Sequence, residues 1–224
     1  MNDEFTEITI EGIIDCPYDC DVEIPADFDG IPVTVIAGSA FRYKRMKSVS
    51  IPESVKKIGS QAFYDCDYIE SISIPDSVTE IGDSVFSGSD RIEAVIIPDS
   101  VTKMGSSVFS GCASLKSVTL SSGVTEIKDS TFYYCPKLES VTIPDSVTEI
   151  GHRAFYSCTS LKSLRLPKNL KSIGSNAFES CKVLNDIEIP DSVTKVGTGL
   201  FSECNTITLS HKISVARRFN TDIF

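Results

Sequence analysis

A chain of 224 residues in which 41% are apolar can enclose a continuous core, which excludes disorder as the main reading. Its 31 acidic against 21 basic residues give a net charge of −10, the wrong sign for a general phosphate-backbone binder, so nucleic acid is excluded as a partner class. No apolar run approaches membrane-spanning length and the first fifteen residues, MNDEFTEITIEGIID, hold no basic n-region, so neither membrane insertion nor an export signal is expected.

In chain order, the first feature is the pair Cys16 and Cys20, four apart with Pro17 between them and outside any repeat. A disulfide, half of a metal site, or plain packing of an N-terminal cap all suit that spacing. A repeating unit then takes over. Phe41, Phe63, Phe86, Phe109, Phe132, Phe155, Phe178 and Phe201 are separated once by 22 and then six times by 23 residues. Beginning at Ile74 a unit reads IPDSVTEIGDSVFSGSDRIEAVI, and two others read IPDSVTKMGSSVFSGCASLKSVT and IPDSVTEIGHRAFYSCTSLKSLR. This period is too short for two-helix repeats, which need about 33 residues or more, so each unit is read as one coil of a solenoid.

Within a unit, Ile143, Val147, Ile150, Ala154, Phe155, Cys158, Leu161 and Leu164 are apolar, and no 3.6-residue period links them. The stretch from Leu115 to Leu120 alternates about Val118 and predicts a short strand. Ile-Pro-Asp-Ser follows as a turn, with Pro fixing φ and Asp or Ser bonding the local backbone. A second extended piece, such as Val147-Thr148-Glu149-Ile150, ends at a glycine in Gly59, Gly82, Gly105, Gly151, Gly174 and Gly197. That glycine is expected to supply a positive φ, although Ala37 and Lys128 hold its place in two copies. The closing arc, Ser-x-Ala-Phe-x-x-Cys, has room for one helical or 3₁₀ turn. Its Phe is expected to fill the core, burying roughly 150–200 Å² per copy.

Leu115-x-x-Val118-x-Leu120 and Leu138-x-x-Val141-x-Ile143 match the leucine-rich repeat core, with Ser100, Ser146 or Asn169 near the place of its Asn ladder. The IPxSVTxIGxxAFxxCxxLxSVT variant resembles the BspA-like (bacterial surface antigen type) leucine-rich repeat family, over about Ile24 to Leu209. Ile24 to Val33, with five more residues than later copies place there, resembles that family's lengthened first repeat, and a strand of Ile8 and Ile10 would cover the first coil. At the other end Ile207-Thr208-Leu209 would make a last strand and Ser214 would N-cap a short helix using Val215 and Phe219. The implied architecture is one domain, mainly β with short helical turns. It is a right-handed leucine-rich-repeat solenoid of about eight coils with parallel strands, divided into an N-terminal cap (1–30), repeats (31–204) and a C-terminal cap (205–224). The resemblance implies a cell-surface or secreted setting and a host or matrix protein as partner.

Cys66, Cys112, Cys135, Cys158, Cys181 and Cys204 each lie three residues after the repeat Phe, with Ser89 in the place once. A column of parallel thiols lacks the Cys-x₂₋₄-Cys pairing of zinc sites, so these are read as buried, reduced core residues. His152 and His211 are far apart in the stack, there is no Gly-x-Ser-x-Gly elbow, phosphate loop or His-Glu-x-x-His, and Asp76, Asp99, Asp145 and Asp191 recur because the turn does. No catalytic residue, cofactor site or metal site is assigned. Outward strand positions form two columns, Ser48, Ser71, Ala94, Ser117, Ser140, Ser163, Asp186 and Ser50, Ser73, Ile96, Thr119, Thr142, Arg165, Glu188. The columns are small and flat apart from Ala94 and Ile96, an apolar break, and Arg165, Asp186 and Glu188, which charge the C-terminal end; these five are the candidate partner contacts. Arg42, Lys44, Arg45, Lys47, Lys56 and Lys57 form a basic cluster, and Tyr43, Tyr64, Tyr133, Tyr134 and Tyr156 an aromatic strip on the opposite side. The expected function is non-catalytic recognition of a protein, or of a glycan, by a rigid surface. The alternative is a structural spacer or self-associating subunit of a larger surface protein.

Overall fold

The computed structural model describes residues 7–12 and 19–221. An N-terminal part holds β1 (Ile8–Ile10), β2 (Cys20–Glu23), β3 (Asp27–Phe28) and β4 (Ile31–Ile36). The coils then contribute β5 (Met46–Ser50), β6 (Lys57–Ile58), β7 (Glu80–Ile81), β8 (Ala94–Ile96), β9 (Lys103–Met104) and β10 (Ser117–Thr119). After these come β11 (Glu126–Ile127), β12 (Ser140–Thr142), β13 (Glu149–Ile150), β14 (Ser172–Ile173), β15 (Lys195–Val196) and the helix α1 (Leu209–Phe219).

The chain winds as a β-solenoid in which equivalent residues of successive coils pair in parallel. On the strand face β8, β10 and β12 align in the repeat register, Ala94 to Ser117 to Ser140 and Ile96 to Thr119 to Thr142. β2 and β5 make the same face at the N-terminal end, and a Ser163–Asp186 bridge continues it at the other. A second face carries the ladders β1-β4-β6-β7-β9 and β11-β13-β14-β15. The Pro-containing turn joins the two faces, as the missing Pro donor requires.

The eight repeat phenylalanines are fully buried. Neighbouring rings stack at 5.1–5.9 Å with interplanar angles of 3–23°. Each ring between Phe41 and Phe201 therefore touches the ring before and the ring after, and the core is one continuous column.

The arc around each Phe is not helical; α1 is the one helix among the described residues. Two residues in every coil, at the second position before and the second after Phe, adopt positive φ, as in Gln61 and Asp65, Ser107 and Gly111, or Arg153 and Ser157. Such residues reverse the local twist, so the arc zigzags where a helix would wind. Alternate amides then point along the solenoid: Phe63 N–H donates to Val85 O at 3.0 Å in the next coil, while Tyr64 N–H donates to Gln61 O at 3.1 Å in its own. The third segment of every coil thus closes a ladder of its own, and the buried arc backbone is satisfied.

The repeat glycines serve a different need from the one expected. Gly59, Gly82, Gly105, Gly151, Gly174 and Gly197 do not have positive φ. A Cβ at Gly59, Gly82, Gly105 or Gly174 would lie 2.5 Å from a backbone atom of the preceding coil. Glycine is required there because two backbones meet without room for a side chain.

At the N-terminus β1 lies parallel on β4 and covers the first coil. β3 folds antiparallel on β4 through Gly30, whose φ is +80° and whose N–H donates to Asp27 Oδ1 at 3.1 Å. Cys20 is disulfide-bonded, whereas Cys16 lies outside the described residues. At the C-terminus the expected strand at 207–209 is absent and α1 begins at Leu209, which places Ser214 inside the helix. Val215 is buried and Ala216 and Phe219 pack on the last coil. Arg218 donates to the carbonyls of Ile189 (3.1 Å), Pro190 (2.9 Å) and Val193 (3.1 Å). The helix packs on the end of the core, and Arg218 takes up carbonyls that a further coil would otherwise meet.

Candidate functional site

The strand face is built by alternation: Val95, Val118 and Val141 point into the core, which turns Ala94, Ile96, Ser117, Thr119, Ser140 and Thr142 outward. Ile96 is 70% exposed. At the C-terminal end Arg165, Asp186 and Glu188 line one open depression of about 630 Å³ with Lys168 and Asp191. Ala94 and Ile96 are three to four coils away, so the five candidate residues divide into a charged group and a separate apolar pair. Asp145 sits between two cations at the rim: Arg165 Nη2 lies 3.5 Å from Oδ1 and Lys168 Nζ 3.4 Å from Oδ2. The Lys168 backbone N–H, bonded to Asp145, holds that carboxyl below its usual range, assisted by the Lys168 ammonium and the Arg165 charge. Among the described residues no three or more of His, Cys, Asp and Glu converge as a metal site.

The turn aspartates and His152 serve as rungs. Asp99 accepts from Ser122 N–H at 2.8 Å, and that bond lowers its pKa. His152 donates its N–H to Asp129 Oδ1 at 2.7 Å and accepts Ser175 N–H on Nδ1 at 3.2 Å, each one coil apart. His211 lies within α1.

The cysteines of the column are buried thiols. Each thiol also donates to the Phe carbonyl of the preceding coil, at 2.9–3.1 Å, from Cys66 to Phe41 through Cys204 to Phe178. Ser89 makes the same bond to Phe63 at 2.9 Å. A hydroxyl replacing a thiol in a dry column was the available signal that the position needs a donor as well as bulk. Burial pushes the thiols of Cys66 and Cys135 up to about 12, so they are poor nucleophiles at neutral pH.

The arc around the repeat Phe forms a third, turn face, which carries the aromatic strip and part of the basic cluster. The Arg42 guanidinium lies 4.6 Å from the Tyr43 ring and 4.8 Å from the Tyr64 ring, and donates to Tyr43 Oη at 2.8 Å. Arg45 and Arg91 cover Tyr68 at 5.4 and 4.4 Å. Tyr133 stacks on Tyr156 at 5.0 Å with Tyr134 beside it. Lys57 instead pairs with Glu80 at 2.7 Å on the second face, so the cluster that looked continuous in sequence is divided between faces.

Residues 34–162 and 125–220 match the family described as BspA type leucine rich repeat region, in six copies. No curated protein matches. Among solved structures, a T. pallidum leucine-rich repeat protein is similar over 100% of this chain and 94% of its own, with 27% identity and a TM-score of 0.75. A leucine-rich repeat protein from Eubacterium ventriosum shares 31% identity over 70% of this chain and 42% of its own, with a TM-score of 0.66. A leucine-rich cell surface protein from Faecalibacterium prausnitzii shares 29% identity over 86% of this chain and 69% of its own, with a TM-score of 0.63.

Proposed function

Because this chain belongs to the BspA-type leucine-rich repeat family, we propose that it is a non-catalytic scaffold at a cell surface, binding a host or matrix protein, or a second copy of itself, through its strand face. Arg165, Asp186 and Glu188 make the charged contact and Ala94 with Ile96 an apolar one. The observation that carries this reading is the convergence of those three charged side chains in one open depression at the end of an otherwise plain Ser/Thr face. Coil-to-coil bonding on three faces holds them in place before a partner arrives, which lowers the ordering cost of binding. The cell-surface neighbour supports the location.

Binding of the intact chain to a panel of purified extracellular-matrix proteins, read by biolayer interferometry, tests it. The double variant Arg165→Ala/Glu188→Ala should weaken capture about tenfold or more, and an Ile96→Ser variant less. Equal capture by all three chains would refute the assignment of the face. The exposure of Ile96 favours one second reading, a self-associating spacer. In that case sedimentation equilibrium would show an oligomer that Ile96→Ser returns to monomer.

A further inference from the structure

The turn face contains two exposed aromatic residues at a position where every coil requires positive φ. Tyr43 and Tyr134 both adopt positive φ, 62° and 55°, at the coil position that Asp65, Gly88 and Gly111 hold in the coils between them. A bulky residue in the left-handed region is strained. Burial does not compensate, since Tyr43 is 57% and Tyr134 58% exposed. They are tied into one straight hydrogen-bonded line: Tyr43 N–H to Tyr64 O, Asp65 N–H to Ser87 O, Gly88 N–H to Ser110 O, Gly111 N–H to Tyr133 O, and Tyr134 N–H to Tyr156 O. Two aromatic groups, Tyr43 with Tyr64 and Tyr133 with Tyr134 and Tyr156, therefore face outward on one rail. Tyr64 and Tyr133 are three coil steps apart, roughly 14 Å by the inter-strand spacing. Between them Ser87, Gly88, Ser110 and Gly111 cover the coils, with the Asp65 carboxylate beside Gly88 as a hydrogen-bond acceptor on the path from one group to the other.

We propose that this rail is a carbohydrate-binding surface for a neutral polysaccharide lying along the solenoid axis. A tyrosine offers an apolar ring body and a polar hydroxyl, which suit the C–H face and the hydroxyl rim of a sugar ring. The face has no exposed aliphatic side chain of the kind that forms a protein interface core. Its charges are mixed, with Arg42, Arg45 and Arg91 set against Asp65, Asp67 and Asp90, and desolvation together with Asp65 and Asp90 raises the pKa of Asp67. A field of that kind does not select an anionic glycan. The separation of the aromatic groups is comparable to a trisaccharide, so one chain can engage both. This site lies on a different face from the protein contacts proposed above and stands independently of them.

Affinity electrophoresis of the intact chain through gels containing mannan, xylan, hydroxyethyl cellulose or dextran sulfate tests the proposal. At least one neutral polymer should retard the protein, and retardation should persist in 0.5 M salt. Tyr43→Gly/Tyr134→Gly should weaken it about tenfold or more while leaving the melting temperature unchanged or higher, because glycine belongs at positive φ. The strand-face variant Arg165→Ala/Glu188→Ala should be retarded like the parent. Retardation by dextran sulfate alone, by no polymer, or equally for parent and tyrosine variant would overturn the proposal, and so would binding on this face to proteins only.

Discussion

At the residue scale, the thiol column does two jobs with one atom: it fills space beside the Phe stack and donates to the carbonyl of the coil before. Its ionisation then couples to stability. Cys66 and Cys135 titrate in the folded chain at about 12 against an ordinary 9.0. A raised folded pKa means that the stabilisation is complete below about pH 9 and is lost as pH climbs toward about 12, because the unfolded chain loses its thiol protons first. The expected outcome is a melting temperature that falls from about pH 9 upward in the parent. In a variant carrying Ser at Cys112, Cys135 and Cys158, as Ser89 already demonstrates is compatible, the fall is shallower. Thermal melts across that range check it, and equal slopes would show that the column is not the cause. The carboxylates behave in the opposite sense. Asp99 and Asp145 are depressed, so their contribution is present at neutral pH and is lost on acidification through the depressed values.

At the element scale, the ladders on the second face show what one side chain does to coil spacing. Gly105 N–H donates to Ile81 O at 2.9 Å and Gly151 N–H to Ile127 O at 2.7 Å. The rung between them is missing: β9 pairs only with β7, and β11 only with β13. The residue there is Lys128, whose Cβ stands where the other coils bring two backbones together. A depression of about 430 Å³ opens at this seam, lined by Met104, Gly105, Glu126 and Lys128. Replacing Lys128→Gly should close the seam, slow hydrogen exchange of the Thr125 and Glu126 amides, and add about 1 kcal/mol for the recovered bond. The mirror change Gly174→Lys should cost about 1–3 kcal/mol by forcing an intact seam apart. Chemical denaturation with hydrogen-exchange mass spectrometry distinguishes the two, and an unchanged exchange pattern in Lys128→Gly would mean the seam has another origin.

For the whole molecule, stability is close to a sum over coils and their interfaces. The Phe column is the largest shared term, since every ring inside it contacts both neighbours. Phe109→Ala, at the middle of the column between Phe86 and Phe132, should cost about 3–5 kcal/mol. It should also uncouple the two halves, seen as a calorimetric enthalpy that exceeds the van't Hoff value. A loss of the same size with a single sharp transition would mean that the three ladders alone carry the coupling. The same rigidity gives the two proposed surfaces their character: the strand face and the turn face hold their side chains in rows whose spacing is set by the backbone, not by the partner.

Period, strand position, the Pro turn and the burial of every repeat Phe were legible in the chain, because each is a local preference repeated until only one architecture satisfies all copies. The N-terminal strand over the first coil was implied by the family resemblance, since it lies outside the repeat. What could not be read depends on atoms 20 or more residues apart in sequence. The repeat glycines look like turn residues until the coil before them is in place and shows that they mark a backbone-to-backbone approach. The positive φ of Tyr43 and Tyr134, the donor role of the thiols, the helix that replaced a final strand, and the separation of Ala94 and Ile96 from Arg165, Asp186 and Glu188 all belong to that class. Periodicity determines how one coil is made, but the distance between coils and the residues it brings side by side exist only once the coils are stacked.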